Sequence, residues 1–277
     1  MKYACFILTY KRPNATTPNM LRKHGYKGEY FLVVSDNDPC LEEYKKAYGD
    51  KVLVFHKPDY AWVDSCDLDP SLDFATIARY AAYDAARARG YDAWCMLDDD
   101  LSDLKYRAYD ENHSLKTYEV TRLDEIMEAC FEAVMKFPKG TIFSFFPSAM
   151  MFPGRIDKFE RFASQFYFRD TRDGYYGKGR IHEDLIELFR KSSTGELAFC
   201  MHEITYNSVV FESKSGGSSD GGMLSEYKRF STYERCFKVI INNPNFFRIS
   251  INDSGEMKCD KVLSNYVRIL DERHRKL

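Results

Sequence analysis

No pair of the eight cysteines, at positions 5, 40, 66, 95, 130, 200, 236 and 259, has Cys-x-x-Cys spacing. Zinc-finger and thioredoxin-type readings therefore lack support. Cys5, Cys95 and Cys200 sit inside apolar, strand-like runs and read as small buried hydrophobes. Such usage fits a reducing cytoplasm, that of the host if the chain is viral. No stretch approaches the roughly 20 apolar residues that a membrane span needs. Met1-Lys2-Tyr3-Ala4 runs directly into a strand-like segment without a signal-peptide pattern. Neither a membrane partner nor export is expected. Charge of one sign is not in excess: a net charge of −2 excludes a uniformly basic nucleic-acid coat, though not a local patch. Internal repeats and linker-like stretches are also missing.

What is present suits an ordinary soluble globular protein. The 277 residues are 44% hydrophobic and 30% charged, enough for one large domain. Aromatics reach 16%, with 21 Phe and 20 Tyr, which calls for a large aromatic core or a ring-lined groove. From Leu224 onward, 11 Lys or Arg face 7 Asp or Glu, so this stretch carries +4 and the remainder −6. A basic C-terminal side opposite an acidic pocket suits a polyanionic partner.

Continuous apolar runs alternate with helical patterns over the first hundred residues. The runs are Tyr3–Leu8, Tyr30–Val34, Val52–Phe55 and Ala93–Leu97; the helical patterns are Thr17–Lys23, Leu41–Tyr48 and Phe74–Arg89. Such alternation predicts an α/β fold with a mostly parallel sheet flanked by helices. Tyr60–Pro70 reads as a loop. Further on, Leu123–Phe137, Asp184–Lys191 and Tyr233–Ile241 read as helices, with strands at Thr141–Phe146, Phe162–Arg169, Leu197–Tyr206 and Phe246–Ile251. Residues 1–223 are read as one domain. Residues 224–277 are read as a segment packed on it and a candidate acceptor-binding element.

Ligands of open parallel sheets bind beyond the carboxyl ends of the strands. Three polar clusters fall there: Thr9-Tyr10-Lys11-Arg12, Ser35-Asp36-Asn37-Asp38 and Asp98-Asp99-Asp100. Three adjacent carboxylates repel one another, and a hard divalent cation such as Mg²⁺ or Mn²⁺ is their natural partner. That ion would bridge a diphosphate and assist its departure as a Lewis acid. Lys11, Arg12 and Arg79 are the cations placed to meet the phosphates. Arg180-Ile181-His182-Glu183-Asp184 opens a helix, where Glu183 or Asp184 could serve as general base, Asp184 being preferred. His202, with Glu203, is a candidate to complete the metal shell. The run Ser215–Gly222, including Gly216 and Gly217, is a candidate acceptor loop.

The order of these features resembles the GT-A glycosyltransferases: a nucleotide-binding first strand and loop, an acidic site ending the fourth strand, and a downstream Glu-Asp pair. The chain resembles more specifically the phage TET/JBP-associated glycosyltransferases. The matching stretches are Leu21–Tyr26, Val33–Pro39, Glu43-Tyr44, Tyr48–Val52, Leu97–Asp100, Gly179-Arg180 before Glu183-Asp184, Ser215–Gly217 and Asn243-Pro244. Two departures stand out. The helix before the aspartates carries Ala78-Arg79-Tyr80 where the family often has Ala-Arg-Asn, and Phe145–Ser148 replaces a glycine-rich stretch. The resemblance implies a GT-A, Rossmann-like sheet with a C-terminal extension, a UDP-sugar donor, and hydroxymethylated pyrimidine in DNA as acceptor. It also implies Asp100 as principal metal ligand, Asp98 or Asp99 near the ribose, and Thr9, Arg12 and Asp36 on the nucleotide. Asp184 would act as base in a direct displacement.

Three other readings compete. A GT-A transferase acting on a glycan or small molecule shares every donor feature. A metal-dependent nuclease finds a Glu-x-Lys spacing in Phe211-Glu212-Ser213-Lys214, a short motif that leaves Asp98–Asp100 unexplained. A sugar nucleotidyltransferase needs a glycine-rich first loop, and Thr9–Pro13 has no glycine.

Overall fold

Strand β1 (Tyr3–Leu8) carries no charged residue because both of its faces are covered. Ala4, Phe6 and Leu8 enter one apolar cluster while Cys5 and Ile7 enter the opposite one, as the two-residue period of a strand requires. Strand β4 (Ala93–Asp98) divides in the same way, with Trp94 and Met96 on the first face and Ala93, Cys95 and Leu97 on the second. The structure, a computed structural model, describes residues 1–64, 72–148, 165–193, 196, 198–209, 230–242, 244, 247–255 and 257–261.

β2 (Tyr30–Ser35) and β3 (Val52–Phe55) join β1 and β4 in a parallel set ordered β3-β2-β1-β4. Helix α1 (Thr17–Lys23) comes after β1, and α2 (Leu41–Tyr48) after β2. Helix α3 (Ala75–Ala88) covers the first face through Ile77, Ala81, Ala82 and Ala86; its small alanines let it lie close to the sheet. On the second face α4 (Leu123–Lys136) contributes Leu123, Met127, Phe131 and Val134, a stripe at helical spacing.

The sheet continues as β8 (Phe166–Asp170), β7 (Ile142–Pro147), β9 (Ala198–Ser208), β5 (Leu101–Tyr109) and β6 (Leu115–Glu119). Here β7 runs parallel to β9, but β4–β8, β7–β8, β5–β9 and β5–β6 are antiparallel pairs. The α/β class holds, with a mixed rather than a mostly parallel sheet. β8 runs against both β4 and β7, and the β5–β6 hairpin adds two more antiparallel pairs; sequence reading passes over that hairpin because β6 is an edge strand exposed along nearly all its length. Of the expected loop Tyr60–Pro70, Tyr60–Asp64 belongs to a 3-10 helix that starts at Lys57, and residues 65–70 lie outside the described residues. β8 begins at Phe166, and residues 162–164 of its expected span lie outside the described residues.

Helix α5 (Glu183–Ser193) lies between β8 and β9, and α6 (Thr232–Asn242) packs on the hairpin β10 (Phe247–Ile251) and β11 (Met257–Lys261). Residues 211–229, which include the candidate acceptor loop with Gly216 and Gly217 and the Glu-x-Lys run, lie outside the described residues. Cys5, Cys40, Cys95, Cys130, Cys200 and Cys236 are free thiols. Among the described residues no helix is long and apolar enough to cross a membrane.

A buried ionic network fixes α5 to the end of β8. Arg169, 1% exposed, donates to Glu187, to Asp173 at 3.3 Å and to the Gly174 carbonyl at 2.8 Å. Lys191 pairs with the same Asp173 and with Glu196 at 3.1 Å. Removing one partner leaves an uncompensated buried charge. Arg169→Met is expected to destabilise the fold by about 3–5 kcal/mol in urea unfolding. A loss under about 1 kcal/mol would show that the network is not what holds α5.

Candidate functional site

The loop after β1 and the turn after β4 meet through one carboxylate. Leu8 and Asp98 are register partners at the ends of their strands, so the loop and the turn emerge side by side. Asp99, buried, accepts from Thr9 Oγ1 at 2.7 Å through Oδ2 and from Arg12 Nη1 at 2.8 Å through Oδ1. The Tyr44 hydroxyl, from α2, lies 2.8 Å from Thr9 Oγ1 and accepts the Arg12 amide at 2.7 Å. Lys11 sits in the left-handed region at φ 56°, held by donation of its amide to Asp38 Oδ2 at 2.8 Å. Asp38 Oδ1 also takes the Cys40 amide at 2.8 Å, so this buried acid shapes the loop. Sequence reading places Asp38 in a polar cluster at this edge without a role of its own, and gives Tyr44 none.

The turn after β4 is braced from α1. Thr17 Oγ1 donates to the Asp98 carbonyl at 2.6 Å and accepts the Leu101 amide at 3.0 Å. The Thr16 and Thr17 amides reach the Asp99 carbonyl at 2.9 and 3.2 Å. Backbone polarity is thus satisfied within the protein, and the Asp98 and Asp100 side chains are left at the cleft. Burial pushes Asp98 up to about 7, opposed by Arg79 and reinforced by Asp100, Asp99 and Asp184. Burial and the Asp99 charge push Asp100 up to about 6. Asp100 Oδ1 is buried without a hydrogen-bond partner among the described residues. A buried carboxylate oxygen left unpaired beside further carboxylates fits a hard divalent cation, Mg²⁺ or Mn²⁺, better than any neutral ligand.

Arg79, on α3, is the cation beneath these acids. Its Nη2 pairs with Glu183 Oε1 at 3.1 Å, both side chains being buried. Burial raises Glu183 to about 7 against the pull of Arg79. Asp184 is half-buried, takes the Leu185 amide at 2.8 Å through Oδ1, and adds its charge to the field at Asp98. The structure therefore brings Glu183 and Asp184 to the aspartates and commits only Glu183 to Arg79. Arg180, 0% exposed at its side chain, orients this corner. It pairs with Asp64, packs over the Phe74 ring at 4.7 Å, and comes directly after Gly179, whose carbonyl accepts from Thr76 Oγ1 at 2.6 Å.

A cleft of about 200 Å³ lies over the aspartates, while Asp184 lines a smaller neighbouring cavity with Arg79, Tyr167 and Tyr175. Thr9, Tyr10, Arg12, Arg79, Asp98, Asp99 and Asp100 line the cleft, together with Ser35, Phe55, Lys57, Asp73 and an apolar floor of Leu8, Phe74 and Ile77. Lys57 and Asp73, neighbours of no recognised motif, escape sequence reading altogether. Asp36 lies at the exposed rim, paired with His56, while Ser35 faces the cleft.

His202 comes from the irregular part of β9, where one step of β7, Phe145 to Phe146, corresponds to Met201 to Thr205. Its ring stacks on Phe146 at 4.0 Å, near the end of β7. His24, Asp103 and Glu119 do have ligand atoms within 4.8 Å of one another. However, Lys23 reaches Asp103 at 2.7 Å, Lys105 pairs with Asp103 and Glu119, and His24 Nδ1 is 2.6 Å from the Val120 carbonyl. Lysine ammoniums already occupy the place of a metal there.

Raised acid pKa values have a definite sign. Between the unfolded value near 4 and about 7, the folded state holds protons that the unfolded state has lost, so stability falls as pH rises. Asp98→Asn has no such proton to lose. The metal-free variant is expected to gain stability relative to the native protein as pH goes from 5 to 8, measured by thermal unfolding. A difference independent of pH would contradict the buried, raised Asp98.

TarS from Staphylococcus aureus, residues 1–349, is similar in structure with a TM-score of 0.50 and 14% identity, over 100% of this chain and 72% of that one. Glucosyl-3-phosphoglycerate synthase from Mycobacterium tuberculosis, solved with Mn²⁺, UDP and glucosyl-3-phosphoglycerate, matches at TM-score 0.45 and 10% identity, over 94% of this chain and 87% of that one. Identities this low speak to the fold alone, which is that of GT-A glycosyltransferases. No curated protein matches the sequence. The sequence model described as TET-Associated Glycosyltransferase matches residues 3–171, more than half of the 277. The chain belongs to the TET-associated glycosyltransferase family, and it is a glycosyltransferase.

Proposed function

We propose that the enzyme moves a sugar from a UDP-sugar to the hydroxyl of a 5-hydroxymethylpyrimidine in phage DNA. The observation that carries the donor half is the unpaired, buried oxygen of Asp100 beside Asp98 in a cleft that also holds Arg79. Asp98 and Asp100 would hold Mn²⁺ or Mg²⁺, which when bound supplies Lewis-acid stabilisation of the departing diphosphate. The chain's own residues supply the rest. Thr9, Tyr10 and Arg12 form the wall for the nucleotide, with Arg12 oriented by Asp99. Arg79 sets the field across the reacting centre. Asp184 takes the acceptor proton, since Glu183 is engaged with Arg79.

In that step the acceptor oxygen bonds to the anomeric carbon as the bond from that carbon to the diphosphate breaks. The acceptor proton passes to Asp184 and the electron pair leaves on UDP. Direct displacement of this kind inverts the sugar carbon.

The acceptor half rests on the family and on the +4 charge of residues 224–277. A hydroxymethyl group within duplex DNA is reachable once its base is turned out of the stack.

The reading is tested by incubating the protein with Mn²⁺, a panel of UDP-sugars and hydroxymethylated DNA, then measuring nucleoside mass. A hexose or pentose mass increment is expected. Asp184→Asn should lower its rate by about 10²–10⁴-fold, the usual contribution of general-base catalysis. Donor turnover without DNA modification would move the acceptor to a glycan or small molecule. No turnover of any UDP-sugar would overturn the donor assignment.

A further inference from the structure

At the far end of the cleft from the aspartates, one buried cation is only partly satisfied. Lys57 is 6% exposed and lies on the 3-10 helix after β3. Its ammonium pairs with Asp73, just before α3, and sits 4.2 Å from the centre of the Tyr10 ring. The Tyr10 hydroxyl is pushed up to about 12 by burial and by the nearby Asp73 carboxylate. An ammonium has three N–H donors, and Asp73 is its one hydrogen-bond acceptor among the described residues. A desolvated cation with donors to spare in a ligand cleft is costly unless a ligand supplies acceptors. Phe55 and Ser35 line the cleft together with this trio, so the pocket around Lys57 offers apolar walls to a flat ring and polar groups to its edge.

We infer that Lys57, positioned by Asp73 and Tyr10, reads the nucleobase of the donor and selects uracil over cytosine. This rests on the proposed UDP-sugar reading, since the diphosphate at Asp98 and Asp100 places the base at the opposite end of the same cleft. The ammonium only donates, so it needs a carbonyl. Uracil carries one on each side of N3 and meets Lys57 with an acceptor whichever edge turns in. Cytosine has an amino group on one side, which would face the ammonium donor to donor and leave the cation unpaired. Asp73, which accepts from Lys57 through one oxygen, is placed to take the N3–H of uracil.

The test is calorimetric titration of UDP, CDP and inorganic pyrophosphate into the Mn²⁺-loaded full chain, native and Lys57→Met. Methionine keeps the stem against Tyr10 and removes the charge. The native protein is expected to prefer UDP to CDP. Lys57→Met should weaken UDP about ten- to a hundredfold, the range for a hydrogen bond to a charged group. It should bring UDP and CDP to similar affinity, with pyrophosphate unchanged. Lys57→Met/Asp73→Asn, which removes both charges, should behave in the same way and guards against a folding defect from an unpaired Asp73. A variant that keeps the UDP preference overturns the assignment. Equal losses of UDP and pyrophosphate also overturn it, since Lys57 would then serve the phosphates. If the native protein binds neither nucleotide, the donor reading fails first and this inference falls with it.

Discussion

Everything at this cleft depends on the Asp99 carboxylate, which joins the loop after β1 to the turn after β4. Each oxygen has its own partner, Thr9 and Arg12, and Tyr44 closes the arrangement from α2. Hydrogen bonds to an ionised group are about twice as strong as neutral ones, and they fix direction as well as distance. With the link in place, the two loops present one continuous wall. Without it, the Arg12 guanidinium would lose its ion pair and Thr9 its acceptor on the turn after β4.

The link also divides three chemically identical neighbours. Successive residues leaving a strand point in opposite directions, so Asp99 turns toward the first loop while Asp98 and Asp100 remain for the cleft. Around them stand Glu183 and Asp184, and the nearby counter-charges are the guanidiniums of Arg12 and Arg79. Carboxylates outnumber cations, and burial raises the pKa of Asp98, Asp100 and Glu183 toward neutrality. A site in this state is poised to exchange protons for a divalent metal, because binding releases the strain of like charges. Farther out, Lys57 and Asp73 extend the same logic to the other end of the cleft.

The donor side is legible in the sequence for a physical reason. Strands buried on both faces read as unbroken apolar runs, so β1, β2, β3 and β4 stand out, and the polar groups at their ends mark the cleft. The Glu183-Asp184 pair at the start of α5 is found for the same reason, as polar residues at a helix opening beside a sheet. Edge structure does not announce itself: β6 is nearly all exposed, so its composition resembles a loop, and the sheet is less parallel than its apolar runs suggest. His202 is a different case, because sequence gives strand membership but not the register shift that sets its place on β9. Asp99 and Lys57 are hidden for a third reason. Their roles come from partners about ninety and sixteen residues away, and no local pattern marks such pairs.

The central claim is that Asp100, with Asp98, binds the metal while Asp99 works inside the protein. Electron paramagnetic resonance of Mn²⁺ titrated into the native protein, Asp99→Asn and Asp100→Asn measures this most directly. Asp100→Asn is expected to leave Mn²⁺ free at concentrations that saturate the native chain. Asp99→Asn, which keeps the shape of the side chain, should retain bound Mn²⁺ with a lower thermal stability. Loss of Mn²⁺ in Asp99→Asn with undiminished binding in Asp100→Asn would contradict the account.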